Sequence, residues 1–162
     1  AASDWFGGSV AIYGDSIVVG ADRDGDNGVN SGSAHVFVRK GEEWKHQAKL
    51  LAPDAAINNW FGRSVAIYQD TIVVSGYASG SAHVFVRSGR SGEEWTHQAK
   101  LLAPDGAPGD HFGGSVAIYG DTIVVGAEGW THRAKLLAPD VSGGDRFGWS
   151  VAIYGDTIVV GA

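Results

Sequence analysis

The feature that most constrains the fold of this 162-residue chain is a sequence unit repeated along it. The segment SVAIYGDSIVVGA at 9–21 returns with few changes at 64–76, 115–127 and 150–162. A second segment, WKHQAKLLAPD at 44–54, returns at 95–105 and 130–140, and a third, GSAHVFVR at 32–39, returns at 80–87. Such self-similarity is typical of repeat architectures, in which each repeat is one supersecondary unit.

The first segment of each unit predicts two strands joined by a tight turn. β-branched residues stand on both sides of Gly14-Asp15, a pattern that favours strands around a short hairpin turn. Gln69 takes the place of the glycine in the second unit. We therefore expect that this turn does not strictly require a positive φ at that position. Because the strands are apolar on both faces, we expect both faces to be covered.

The other two segments each predict one further strand. HVFV is a β-branched and aromatic run of the kind that forms strands. The tryptophan segment alternates in polarity, which predicts an edge strand with two different faces. One face should carry Trp44, His46, Ala48 and Leu50, and the other should carry Lys45, Gln47 and Lys49.

Together these strands make each unit a four-stranded antiparallel meander of roughly 50 residues, the size of a propeller blade. A blade cannot bury both faces alone, so neighbouring units must stack around an axis. We therefore predict an all-β fold: a β-propeller of four-stranded antiparallel blades, here incomplete, with about three and a half blades or as part of a larger ring. Residues 1–162 would be a single propeller domain or a fragment of one. Its units, which we call units one to four, lie approximately at 1–54, 55–105, 106–140 and 141–162.

Phenylalanine-glycine pairs mark the phase of the units, at Phe6-Gly7, Phe61-Gly62, Phe112-Gly113 and Phe147-Gly148. With VVGA closing the second strand and GSAHVFV forming the third, the chain resembles the FG-GAP repeat. This repeat is the blade unit of the integrin α-chain propeller and of many bacterial and algal surface proteins. The resemblance implies a propeller that binds a protein partner in an extracellular or cell-surface setting, with an organelle lumen as the alternative.

Unit three lacks the sequence of a third strand. Only Glu128 and Gly129 stand between Ala127 and the next tryptophan, Trp130. Loss of one strand from an antiparallel meander would reverse the strand after it, so we expect roughly 20 residues to be missing between Ala127 and Glu128. The sequence ends at Ala162, after a second strand. We therefore expect either more chain there or a partner that covers the open edge.

Composition excludes several classes of function. The net charge of -6, with 12 scattered Lys and Arg residues, argues against a nucleic-acid partner. No apolar run approaches the roughly 20 residues of a membrane span. The absence of cysteine excludes disulfides, cysteine-ligated zinc and thiol catalysis. No nucleophile-elbow, zinc-protease or phosphate-loop motif occurs, so we expect no enzyme activity.

The segment GADRDGDNGVNSG at 20–32 contains the candidate metal ligands Asp22, Asp24 and Asp26. Alternating carboxylates followed by glycine are similar to the start of a calcium loop. However, Asn27 precedes the glycine and no bidentate glutamate follows, so a solvated turn is the favoured interpretation. The resemblance places the family's calcium loop between the first and second strands, where this chain has only YGDT or YQDT. Calcium at Asp22, Asp24 and Asp26 stays the one cofactor that the sequence suggests, as the alternative to a solvated turn.

The histidines recur by position and favour a structural role. Two of them lie in third strands and three in fourth strands: His35 and His83, then His46, His97 and His132. Equivalent positions on successive blades are far apart, so these side chains cannot converge on one ion. We expect packing and hydrogen bonding within each blade. His111 has no evident partner in the sequence.

Tryptophans near the phenylalanine-glycine pairs are the candidate binding residues. Trp5, Trp60 and Trp149 should lie at blade corners, where an aromatic ring can contact a partner. The favoured function is a non-catalytic binding or scaffold module that presents propeller loops to a protein partner, or an accessory subunit of a larger assembly. The alternative is a carbohydrate-binding, lectin-like propeller, which requires exposed aromatic side chains at blade junctions.

Overall fold

The structure is a computed structural model, and it describes residues 4–88, 94–104, 110–127 and 148–161. These residues form twelve strands in four antiparallel sheets. Among them there is no helix, and hence no helix suited to crossing a membrane. The expectation of missing residues between Ala127 and Glu128, and that of more chain after Ala162, concern positions that lie outside the described residues.

Units one and two are complete four-stranded meanders. The first sheet contains β1 (Phe6–Tyr13), β2 (Ser16–Ala21), β3 (Ser33–Lys40) and β4 (Glu43–Leu50), paired in chain order. The second contains β5 (Phe61–Tyr68), β6 (Thr71–Gly76), β7 (Ser81–Ser88) and β8 (Glu94–Leu102), also paired in chain order. The predicted blade is thereby confirmed.

Units three and four each contribute one described hairpin. β9 (Ser115–Tyr119) pairs with β10 (Thr122–Gly126), and β11 (Ser150–Tyr154) pairs with β12 (Thr157–Gly161). None of the described sheets closes on itself. The all-β, incomplete propeller predicted from the repeats is confirmed for this part of the chain.

The turn between the first and second strands of each unit differs from the expectation in its backbone conformation. Gln69 has a φ of 50°, close to the 54° of Gly14 and the 56° of Gly120 and Gly155. The interpretation that the turn does not require positive φ is therefore wrong. The strands on either side are held in register by their neighbours, and this tertiary context imposes the left-handed conformation on glutamine as well as on glycine.

The fourth strand also differs from the expected simple alternation. The register shifts between Val36 and Phe37, so that Ala48 pairs with Val36 and His46 pairs with Phe37, which leaves Gln47 as a bulge. His46 consequently contacts Phe37, whereas Ala48 packs into the core with Val36. The prediction that Trp44, His46, Ala48 and Leu50 share one face is wrong, because the bulge moves Ala48 and Leu50 to the other face.

The core lies between successive sheets. The larger cluster fills the junction of units one and two, with Val18 and Val36 from the first sheet and Phe61, Val65 and Ile67 from the second. A smaller cluster joins units two and three through residues such as Ala66, Val73 and Val116. The sheet of unit two thus buries one face against unit one and the other against unit three.

At the junctions the backbones approach closely. The Ser9 hydroxyl donates a hydrogen bond to the Gly62 carbonyl oxygen at 2.8 Å, and Ser115 makes the same bond to Gly148 at 3.0 Å. Gly62 has a φ of 93°, a conformation that favours glycine. A Cβ atom on Gly62 would overlap the carbonyl oxygen of Ser33. The phenylalanine-glycine pair therefore marks the point where one blade rests on the next.

Candidate functional site

The three candidate metal ligands lie in the loop between β2 and β3 of unit one, as the sequence predicted. Asp24 is buried and accepts hydrogen bonds from the Ser33 hydroxyl at 2.6 Å and from the Asp26 backbone N–H at 3.0 Å. The Lys49 ammonium group reaches the Asp24 carboxylate at 2.6 Å and also contacts that of Asp26. A cationic side chain therefore already neutralises this pair.

These contacts decide the ionisation of Asp24. Burial by itself raises the pKa of this carboxyl, but the hydrogen bonds from Lys49, Ser33 and the Asp26 backbone outweigh it and lower the pKa to about 2. The two carboxylates raise the pKa of Lys49 against the opposing effect of its burial. The pair is thus ionised on both sides at neutral pH.

Asp22 faces a different cation. It is buried after the end of β2, with its carboxylate 3.6 Å from the Arg63 guanidinium of unit two. Within the described ranges, no three His, Cys, Asp or Glu side chains gather in an arrangement that could hold a metal ion. As placed, the three aspartates do not fit a calcium-ligand set, because two face Lys49 and one faces Arg63. Calcium binding by them stays a prediction.

The histidines form one relay in each complete unit. His35 Nδ1 lies 3.1 Å from His46 Nε2, and the same distance separates His83 Nδ1 from His97 Nε2. A serine continues each relay, and Ser81 lies 3.2 Å from His83 Nε2. All these contacts are within one blade, as the sequence analysis expected. His132 lies outside the described residues.

The second relay has the atoms of a proton-transfer site but no access for a substrate. Ser81 and His83 are both fully buried, and Asp54 Oδ1 lies 3.8 Å from the histidine ring. Burial lowers the pKa of His83 to about 4, with Asp54 acting in the opposite direction and His97 and Lys100 adding to the decrease. His83 is neutral and excluded from water, which suits packing rather than nucleophile activation, and its counterpart His35 in unit one is only partly buried.

The tryptophan candidates share a backbone position with a histidine. Trp5, Trp60 and His111 each directly precede a phenylalanine-glycine pair, and their φ values are 52°, 53° and 48°. Non-glycine residues seldom adopt this left-handed conformation, yet it recurs in three units. Trp5 and Trp149 are exposed, whereas Trp60 is half-buried.

These positions belong to a column of stacked groups that crosses two blade junctions. The Arg23 guanidinium lies 4.2 Å from the centre of the Trp5 ring and 5.9 Å from that of Trp60. Tyr77 then stacks between Trp60 and His111, at 5.7 Å and 4.6 Å, with the rings within 11° of parallel. We call Trp5, Arg23, Trp60, Tyr77 and His111 the stacked column.

The stacked column contains polar atoms without partners. Within the described part of the chain, Arg23 Nε and Trp60 Nε1 are buried donors with no hydrogen-bond acceptor. The neighbouring Asn59 side-chain oxygen is a buried acceptor in the same condition. Unsatisfied buried polar atoms are rare in folded proteins and call for an explanation such as a ligand or water. The unsatisfied atoms of Arg23, Trp60 and Asn59 therefore mark the stacked column as a place where a ligand or water would be accommodated.

Three members of the stacked column, Arg23, Tyr77 and His111, were not predicted from the sequence as site residues. Arg23 and Tyr77 do not recur at equivalent positions of the other units. His111 holds the position directly before phenylalanine-glycine that Trp5 and Trp60 hold in units one and two. That shared position could have identified His111 as a site residue from the sequence. Trp149, by contrast, follows its phenylalanine-glycine pair, so its position in the unit differs from that of Trp5 and Trp60.

A second row of aromatic rings lies at the turn between the first and second strands. Tyr13, Tyr68, Tyr119 and Tyr154 come from successive units, with neighbouring ring centres 4.9 to 5.1 Å apart. Desolvation and the neighbouring phenols raise the pKa of Tyr68. The chain therefore carries aromatic groups at both ends of its blades, and the unsatisfied buried atoms of Arg23, Asn59 and Trp60 lie at the end with the stacked column.

Comparison with known families supports the interpretation of the repeats. A family model described as FG-GAP repeat matches residues 1–37, 44–85, 95–129 and 130–162, which together cover most of the chain. No curated protein matches the chain.

Proposed function

The chain belongs to the FG-GAP repeat family, and on this premise we propose that it is a non-catalytic binding or scaffold module for a protein partner. The partner would contact the end of the blades that carries the stacked column. The setting would be extracellular or at a cell surface, with an organelle lumen as the alternative. A role as an accessory subunit of a larger assembly is compatible with this function.

The stacked column is the observation that carries the proposal. Tryptophan, tyrosine and arginine are the residue types that dominate the binding energy of protein interfaces. Here Trp5 is exposed, and its ring already packs against the Arg23 guanidinium. A side chain held in place before binding loses less conformational entropy when a partner covers it.

Site-directed photo-crosslinking tests the proposal. A photo-reactive phenylalanine derivative replaces Trp5 in one variant and, as the matched control, Trp44 in another, since Trp44 is exposed but lies outside the column. We expect a discrete cross-linked protein with the first variant and none with the second. Excess unlabelled wild-type chain should abolish the product, and excess Arg23→Ala should not. Identical products from both variants, or no product from either, would contradict the proposal.

A lectin-like propeller is the second candidate, favoured by the exposure of Trp5 and Trp149 at blade corners. Exposed indole rings stack on the apolar faces of sugars. Binding of the wild-type chain to a glycan array, lost in both Trp5→Ala and Trp149→Ala, would support it. An array without specific signal would exclude it and leave the protein-binding proposal in place.

A further inference from the structure

The tyrosines at the turn between the first and second strands occupy the same place in successive units. Each is the last residue of the first strand of its unit: Tyr13, Tyr68, Tyr119 and Tyr154. We call these four residues the tyrosine row. The turn that follows has the same left-handed conformation in every unit, with φ between 50° and 56°. Because neighbouring units pack face to face, equivalent side chains become neighbours across each junction.

The rings of the tyrosine row are nearly close enough for a covalent bond between them. Neighbouring ring centres are 4.9, 5.1 and 5.1 Å apart, and neighbouring ring planes are tilted by 50° to 58°. Two phenol rings joined by a carbon–carbon bond have their centres separated by two ring radii and that one bond, which is slightly less than these distances. Neighbouring rings therefore need only a small movement to reach bonding distance.

The hydroxyl groups of the tyrosine row also lie near one another, and the ends of the row are open to solvent. Desolvation raises the pKa of Tyr68 most, and the neighbouring phenols of Tyr13 and Tyr119 raise it further. Because such electrostatic effects fall with distance, the hydroxyl ends of these rings lie close together. Tyr13 is 39% exposed and Tyr154 is 79% exposed, whereas the two middle rings are half-buried. An oxidant in solution can thus reach both ends of the row.

The composition directs oxidation to aromatic side chains. Cysteine and methionine, whose sulfur atoms are readily oxidised, are absent from this sequence. Tryptophan and tyrosine are then the side chains that a one-electron oxidant attacks. The chain has five tyrosines, and the fifth, Tyr77, lies in the stacked column at the other end of the blades and is buried. Tyr77 therefore serves as a reference tyrosine outside the row.

We propose that the tyrosine row is a site of oxidative cross-linking, at which hydrogen peroxide and a haem peroxidase join neighbouring blades through dityrosine bonds. The peroxidase removes one electron from each of two neighbouring phenols, and each phenol releases its hydroxyl proton. The two phenoxyl radicals couple through the ring carbons next to the hydroxyl-bearing carbons. Each coupled carbon then loses its proton and each phenolic oxygen gains one, so the pair loses two hydrogen atoms in total. Hydrogen peroxide accepts the two electrons and two protons and becomes two molecules of water.

Such a bond would act as a staple between blades. A link from Tyr13 to Tyr68 closes a loop that contains most of unit one and the start of unit two. A cross-link of this kind stabilises a fold mainly because it limits the freedom of the unfolded chain. We therefore expect the oxidised chain to melt at a higher temperature. The tyrosine row is a different surface from the stacked column, so this inference does not depend on the proposed binding function.

Oxidation of the full 162-residue chain by a haem peroxidase and hydrogen peroxide, at low protein concentration, tests the proposal. Dityrosine fluorescence detects the bond, and mass spectrometry of tryptic peptides identifies the two tyrosines. We expect links within one chain between neighbours in the row, and a higher melting temperature for the cross-linked monomer than for the untreated chain. Tyr68→Phe keeps the ring but removes the phenol. Both links that use Tyr68 should therefore be lost, and the link of Tyr119 to Tyr154 should be retained.

Tyr77→Phe is the matched control, because it removes a tyrosine outside the row and should leave every link unchanged. Circular dichroism verifies that both variants remain folded. A wild-type chain without internal dityrosine, or with links formed only between chains, would overturn the proposal. Links of Tyr77, or of the non-neighbours Tyr13 and Tyr154, as frequent as those between neighbours would also overturn it. An unchanged melting temperature of the cross-linked monomer would exclude the staple between blades.

Discussion

Gly20 of unit one and Gly62 of unit two are in direct backbone contact: a Cβ atom on Gly20 would overlap the Gly62 carbonyl oxygen. The same relationship joins Gly126 to Gly148 one junction later. These glycines of units one and three thus lie at contacts between blades, whereas unit two has Ser75 at the equivalent position. Close approach of two backbones, rather than turn geometry, explains why Gly20 has no side chain.

Substitution of Gly20 by alanine should therefore destabilise the chain. The added methyl group meets a backbone atom that can move only if the two units separate, and overpacking of this kind typically costs about 1–3 kcal/mol. Denaturant unfolding of Gly20→Ala measures the change in the free energy of unfolding. The matched control is Gly161→Ala, where the atom closest to the added methyl group is the movable Ser150 hydroxyl oxygen. Equal losses in the two variants would contradict the junction argument.

The strands and their order could be predicted from the sequence because each unit repeats the same β-branched runs. Contact between neighbouring units could be predicted for the same reason, since Phe61 and its equivalents recur in every unit. The bulge at Gln47 could not be predicted. Its strand alternates regularly in sequence, and only the pairing with β3 reveals the extra residue.

Less of the candidate site than of the fold could be predicted from the sequence. Tryptophans near phenylalanine-glycine were identified, but Arg23 and Tyr77 join them only through contacts across a junction. The acidic loop illustrates the same limit. Its carboxylates indicate a cation, and the cation that Asp24 and Asp26 contact in the structure is the Lys49 ammonium group, which lies 23 residues from Asp26 in the sequence.

Lys49→Gln should reduce stability markedly. The substitution leaves the buried Asp24 carboxylate without its cation, and removal of one partner from a buried ion pair typically costs about 3 kcal/mol or more. Thermal and denaturant unfolding provide the measurement. Lys45→Gln is the control, because Lys45 pairs with Glu43 at an exposed position, where an ion pair contributes about 0–1 kcal/mol. A loss no larger than that of the control would argue against the buried pair.

Calcium should bind more readily when Lys49 is absent. An ion can reach Asp24 and Asp26 only if it displaces the ammonium group, so we expect calcium to raise the melting temperature of Lys49→Gln more than that of the wild type. The rise should disappear when Asp24→Asn is added to Lys49→Gln. If calcium leaves both melting temperatures unchanged, the prediction that Asp22, Asp24 and Asp26 bind calcium is wrong.

Acid should weaken the fold through His83. Its pKa is about 4 in the folded chain and 6.5 as the ordinary value, so between these values the unfolded state binds more protons than the folded state. The free energy of unfolding should therefore fall as the pH falls from 6.5 to about 4, with a slope of up to about 1.4 kcal/mol per pH unit. Denaturant unfolding as a function of pH measures this slope. His83→Asn, which cannot titrate, should show a smaller slope, and an unchanged slope would exclude His83 as the source.

Gln69→Gly should stabilise the hairpin turn of unit two. Gln69 holds a φ of 50° at a position where the other units have glycine, and a left-handed conformation costs a residue with a side chain roughly 1–2 kcal/mol. Part of the gain is offset by the greater freedom of glycine in the unfolded chain, so we expect a net increase of about 0.5 kcal/mol. Thermal unfolding should detect it as a rise of about 1–2 °C in the melting temperature. The reverse substitution in unit three, Gly120→Gln, should lower the melting temperature by a similar amount. If Gln69→Gly lowers it instead, the strain at Gln69 is compensated by side-chain contacts and the turn argument fails.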